Sequence, residues 1–156
     1  MGYEGNQSEI TPSLRSALGH TRAGAPLSNN RAPETDLSPW IARLWATKVE
    51  QQPDQKIACG MFADTPVLRI LLRGSWTAET LYGVGRYECA ALFFGPQTKR
   101  MPVAVKGNFA TISIALKPGA VEALGGPALT DTLNRIIRFE DIYGDLWWGN
   151  SEQLIE

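Results

Sequence analysis

The sequence is short of the side chains that catalytic and metal centres use most: it has one histidine and two cysteines in 156 residues. A Ser-His-Asp triad, a Cys-His pair or an HExxH zinc site would have to be built on His20 alone. A barrel that holds a metal converges several histidines and a carboxylate on one ion, and no segment that reads as a strand carries a histidine. No metal and no cofactor is therefore expected. Cys59 and Cys89 make no C-x-x-C spacing, and their apolar or small neighbours read as those of buried, reduced thiols. An excess of charge is missing too. The formal net charge of −1 gives no field that would favour DNA or an anionic membrane. Residues 1–30 hold no signal-peptide core, no apolar run is long enough to span a bilayer, and Asn6 breaks the myristoylation pattern after Gly2. A cytoplasmic protein with no membrane partner is expected.

Phosphate-binding motifs fail as well. Gly83-x-Gly85 opens like a dinucleotide loop, but Glu88 stands where the third glycine belongs and the flanks read as strands. Gly95-Pro96-Gln97-Thr98-Lys99-Arg100 lacks the second glycine of a P-loop, and no G-x-S-x-G elbow occurs.

What is present is a globular composition, 44% hydrophobic and 20% charged. Residues 1–36 read as a flexible tail, with Pro12, Pro26, Pro33 and the polar run Ser28-Asn29-Asn30. Within it Thr11 and Pro12 could open a short helix through Leu14 and Leu18 that stops at Gly19. The domain proper, residues 37–156, opens with a predicted helix: Ser38 as cap, Pro39 at the first position, and Trp40, Ile41, Leu44 and Trp45 on one face. A strand through Val49 and a loop at Gln51–Asp54 come next.

From Lys56 the period becomes two. In Val67–Arg73 the alternation places Leu68, Ile70 and Leu72 inside and Arg69 and Arg73 in solvent, so the two arginines read as a solvated sheet face rather than an anion clamp. Gly74-Ser75 reads as a turn, Trp76–Tyr82 as a strand, Gly83–Gly85 as a turn, and Tyr87–Phe94 as a central strand. Pro102–Val105 and Phe109–Leu116 are strands about a turn at Gly107-Asn108, with Ile112, Ile114 and Leu116 on one side. Such spacing predicts an antiparallel sandwich or barrel. Short helices are expected from Pro118 to Gly125 and from Pro127 towards Leu133, an extended piece over Ile136–Phe139, and a turn over Glu140–Tyr143. The fold class is mainly β with C-terminal helices (α+β). Asn150 and Gln153 read as a capping box for a last helix that Glu156 cuts short, so the sequence is expected to be a piece of a longer chain.

Trp76, Tyr82 and Tyr87 share the inferred inward phase and are the ligand-binding candidates, since aromatics with a polar handle line small-molecule pockets. They serve equally well as core. A ring-walled cavity without histidine suits an uncharged or weakly polar ligand. The carboxylates Glu140, Asp141 and Asp145 read as solvated charge rather than an acid/base pair. Trp147 and Trp148, with Leu154 and Ile155, could form a docking face.

The words Phe93-Phe94-Gly95-Pro96-Gln97-Thr98, Ile112-Ser113-Ile114-Ala115-Leu116-Lys117-Pro118-Gly119-Ala120 and Leu124-Gly125-Gly126-Pro127-Ala128-Leu129-Thr130-Asp131 succeed one another in an order and spacing that carry a resemblance. With Ile137–Gly144 and the opening at Ser38-Pro39-Trp40, they resemble the N-terminal domain of a subgroup of AraC-type transcription regulators, over residues 37–156. The sequence departs from that pattern at Ala63-Asp64-Thr65-Pro66, where a P-D-G-type turn is usual, and at Lys117, where arginine is common. The helix-turn-helix pair that comes next in those regulators is absent. The resemblance implies a cupin-like barrel that senses a small-molecule effector or mediates homodimerisation, with DNA reached only through the missing half. A stand-alone small-molecule-binding barrel is the alternative, and an isomerase or hydrolase using carboxylates and tyrosines is a third.

Overall fold

The computed structural model describes residues 19–20 and 26–144. The predicted helix at Thr11–Gly19 and the capping box at Asn150 lie outside them, apart from Gly19. Among the described residues nine strands form a single antiparallel sheet: β1 (Gly19–His20), β2 (Pro26–Arg31), β3 (Ile41–Val49), β4 (Lys56–Met61), β5 (Val67–Thr80), β6 (Gly83–Glu88), β7 (Ala91–Phe94), β8 (Met101–Leu116) and β9 (Ile136–Arg138). The expected class, mainly β with short helices after the strands, is the one observed. The sheet stays open.

Two long strands organise it. β5 runs 14 residues and β8 runs 16. They pair from Val67 with Ala115 down to Ala78 with Val103. Halfway, between the pairs Arg73–Ala110 and Ser75–Lys106, the ladder slips, leaving Gly74 opposite residues 107–109. Gly74 has φ 81° and Gly107 φ 72°, values that glycine adopts without the Cβ penalty. The glycines expected to turn the chain therefore make a β-bulge instead, which bends both strands and lets them continue. Each half then finds its own neighbours. The upper half of β8 pairs with β3 and that of β5 with β7; the lower halves pair with β4 and β6. The result is a sheet folded about its middle, with a concave side.

Two boundaries differ from expectation. β2, within the segment read as a tail, pairs with β3 from Ser28–Thr47 to Arg31–Leu44, so the sheet begins before Leu37. The predicted helix at Pro39–Trp45 is instead a short turn running into β3. Its start signals make one helical turn, with Ser38 Oγ donating to Thr35 O (2.8 Å) and Ile41 N to Leu37 O (2.8 Å), and then the chain extends. β3 carries apolar residues on both faces, Leu44 on one and Trp45 and Val49 on the other, which hides the period of two.

The concave side holds the core, with Trp76, Leu92, Phe94, Phe109 and Val67 buried together. The Trp76 ring sits 5.6 Å from Phe94 and 5.5 Å from Phe109, both tilted. On the convex side Leu44, Ile114, Leu68, Phe93 and Ile137 lie in one cross-strand row. Phe93 is fully covered, as are Ala120 and Val121 of the short helix α1 (Ala120–Ala123). A 3₁₀ turn at Leu129–Thr132 and a helical stretch at 139–144 complete the described chain, close to where they are expected. No helix among the described residues is long and apolar enough to cross a membrane.

Candidate functional site

Counting along the ladders shows which side chains meet. Trp45 faces Ser113, Ser113 faces Arg69, Arg69 faces Leu92, and Leu92 faces Arg138, all in one row on the concave side. Below the bend, Tyr87, Trp76, Val105 and Ile57 form the next row. Arg69 therefore points inward, with Val67 and Leu71, while Leu68, Ile70 and Leu72 point out. This reverses the phase expected for the strand. Arg73, which follows a first register shift after Leu71, is exposed as expected.

The reversal has a physical cause. Both faces of the upper sheet are apolar: Phe93 is fully covered on the convex side, as Leu92 and Phe94 are on the concave side. Hydrophobicity alone could not choose between them, and the arginines decided the reading. The missed signal is Arg69 itself, a single charge inside the otherwise apolar run Val67–Leu72.

The fold of the sheet leaves an interior pocket of about 320 Å³ between the rows. Trp45, Cys59, Arg69, Trp76, Phe109 and Thr111 are among its walls. Small Ser113 between Trp45 and Arg69 gives the arginine room to lie across the rings. Its guanidinium carbon is 5.3 Å from the Trp45 centroid, 5.0 Å from Trp76 and 5.3 Å from Phe94. Arg69 keeps some accessible surface because the pocket reaches it, yet it lies deep among these rings. Burial, and secondarily the charge of Arg43, pull its pKa down to about 10, so it remains a cation at neutral pH.

Two buried nitrogens have no hydrogen-bond partner among the described residues: Arg69 Nε and Trp76 Nε1. The nearest help for the guanidinium is a long bond from Nη1 to Ser113 Oγ, 3.4 Å. The only ion pairs found among the described residues join other groups: Lys48–Glu50, Arg86–Glu88, Lys106–Asp54 and Arg138–Glu140.

The three sequence candidates separate. Trp76 is 5% exposed and lines the interior pocket. Tyr87 shares its row but is half-buried, and Tyr82, 65% exposed, lies in the turn after β5. Tyr82 and Tyr87 instead line a surface cleft of about 440 Å³ with Arg135. There Arg135 lies 4.6 Å from the Tyr82 centroid and Arg138 lies 6.0 Å from that of Tyr87. Burial raises the Tyr87 hydroxyl pKa, an effect that Arg138 opposes. The cleft is the larger space, but its cations are exposed; the interior pocket is lined by Arg69 and Trp76, whose buried Nε and Nε1 have no protein partner among the described residues.

Cys59 and Cys89, read as buried, are both exposed free thiols, and Cys59 stands on the wall of the interior pocket. Cys89 occupies the kink between β6 and β7 with φ 43°, which breaks the expected single strand Tyr87–Phe94 in two. Glu140 and Asp141 are exposed, as expected of solvated charge; Asp145, Trp147 and Trp148 lie outside the described residues. Among the described residues no three of His, Cys, Asp and Glu come together as a metal-holding group.

The words of sequence that carried the resemblance are structural here. Gly95 N donates to Arg135 O (3.0 Å), Asn134 N to Pro96 O (2.9 Å), and Thr98 N to Asn134 Oδ1 (2.9 Å). Gln97 exchanges two bonds of 2.8 Å with the backbone of Ala63, through its own N–H and its side-chain oxygen. The G-P-Q-T segment thus ties the chain around Asn134 to the loop before β5.

Fold and site together define an open antiparallel β domain with an interior, ring-lined pocket. Residues 29–138 match the model of a domain family described as a domain of unknown function (DUF6597), and the chain belongs to that family. No curated protein matches it significantly.

Proposed function

We propose that the chain is the effector-sensing and dimerisation domain of an AraC-like transcription regulator. In this reading it is cytoplasmic, non-catalytic, cupin-like in its barrel, and dependent on a separate helix-turn-helix half for DNA. The observation that carries the sensing part is the interior pocket, where two buried donors lack acceptors inside a wall of aromatic rings. A native fold satisfies its buried donors, so such a pair points to a missing occupant. The ordered words around Gly95-Pro96-Gln97-Thr98 and Lys117-Pro118-Gly119-Ala120 support the regulator part.

A stand-alone binding module is the second reading, favoured by a pocket whose named walls all come from this one sheet. Calorimetric titration of a metabolite library, with each binder recovered and analysed by mass spectrometry, tests sensing against catalysis. Saturable binding with the compound returned unchanged is expected, and turnover would contradict it. The reading frame past Glu156 separates the two binding readings: two helix-turn-helix patterns there are expected of the regulator, and their absence leaves the module.

A further inference from the structure

The interior pocket also specifies the chemistry of its occupant. Ring faces attract the Arg69 cation but accept none of its in-plane N–H bonds, so stacking on Trp45, Trp76 and Phe94 leaves Nε unserved. Trp76, which lines the same pocket, carries a second buried donor, Nε1, that too lacks an acceptor. A group with two acceptor oxygens and one negative charge answers both.

Charge sets the number. Arg43 lies 4.3 Å from the Trp45 centroid but is exposed, which leaves Arg69 as the deep cation. A dianionic phosphate would bring a second charge with no buried partner, at a cost that burial does not return. The remaining wall is largely apolar, with Val49, Ile57, Val103 and Phe109, and two indole rings offer flat faces. We propose that the pocket takes a small organic monocarboxylate with a flat apolar body, its carboxylate bound by Arg69 and Trp76. This replaces the uncharged ligand expected from sequence, and it rests on the sensing reading above.

Cys59 offers the readout. The chain has two cysteines, so Cys89→Ser leaves Cys59, on the pocket wall, as the single thiol. Its rate of alkylation by N-ethylmaleimide is measured with benzoate, 1-naphthoate and hexanoate, and with the primary amide of each. Carboxylates should protect Cys59 at concentrations about tenfold or more below their amides, as a hydrogen bond to a charged group implies. In Arg69→Met that preference should vanish. Amides that protect as well as the acids would overturn this inference and leave a binding pocket standing. No protection by any compound would overturn both it and the sensing reading. Should Arg69→Met fail to fold, Arg69→Gln removes the charge with a polar side chain, and an undiminished preference there would equally overturn the proposal.

Discussion

Arg69 is held at a cost. Its charge sits among Trp45, Trp76 and Phe94 with no carboxylate paired to it among the described residues. Because its folded pKa of about 10 lies below the ordinary arginine value, the cation is disfavoured by folding. Below pH about 10 it is charged in both folded and unfolded chains, so the full cost is present across the neutral range. Arg69→Met, of similar volume and apolar, should therefore raise stability by about 1–3 kcal/mol in urea unfolding without ligand; a fall of the same size would mean the arginine is structural. Trp76→Ala should cost about 3–5 kcal/mol, whereas Tyr82→Ala should stay within about 0.5 kcal/mol. Parallel melts of the two variants check this, and comparable losses would contradict the separation of core from surface. Of the three aromatic candidates, the sequence made Trp76 legible because its strand alternates cleanly. It misplaced Tyr82 because Gly83 opens β6 instead of turning the chain. Arg69 was misread because its strand is apolar on both faces, so the charges alone set the phase.

The elements were legible where a strand shows one apolar face or where proline and glycine bracket a helix, as around α1. They were obscured where glycine permits a bulge as readily as a turn. Gly74 and Gly107 punctuate two strands in sequence and bend two strands in space, a choice made by the pairing of β5 with β8 across a wide sequence gap. The helix signals at Ser38-Pro39 were real but made one turn, since β2 and the upper half of β8 offer Ile41–Val49 a ladder on each side. The join between β7 and the segment before β9 is tighter than sequence suggests. A Cβ on Gly95 would collide with the Thr132 carbonyl oxygen and carbon. Gly95→Ala should lower stability by about 1–3 kcal/mol as backbone is forced apart. Hydrogen exchange should show lost protection at Gly95 N and Asn134 N; unchanged protection would mean the join is slack.

At the scale of the whole molecule, the bend turns one sheet into both core and container. The formal net charge is −1, with no excess of basic residues. Gel shifts at physiological salt should show no sequence-dependent binding by this chain, and sub-micromolar specific binding would refute the reading that DNA contact belongs to another domain. Of the rings expected to wall a cavity, Trp76, Tyr82 and Tyr87, only Trp76 lines the concave pocket; Trp45 and Phe109 were not among the candidates. The charge of that pocket was not legible, because the ladder register that turns Arg69 inward depends on a bulge between distant strands. The claim that this cavity is the ligand site is tested most directly by the indole and guanidinium N–H resonances of the isotope-labelled chain. On titration with 1-naphthoate, Trp76 Nε1–H and Arg69 Nε–H should shift together and saturate, while the exposed Trp40 indole stays still. Shifts confined to Tyr82, Tyr87 and Arg135, or none at Trp76 and Arg69, would contradict it.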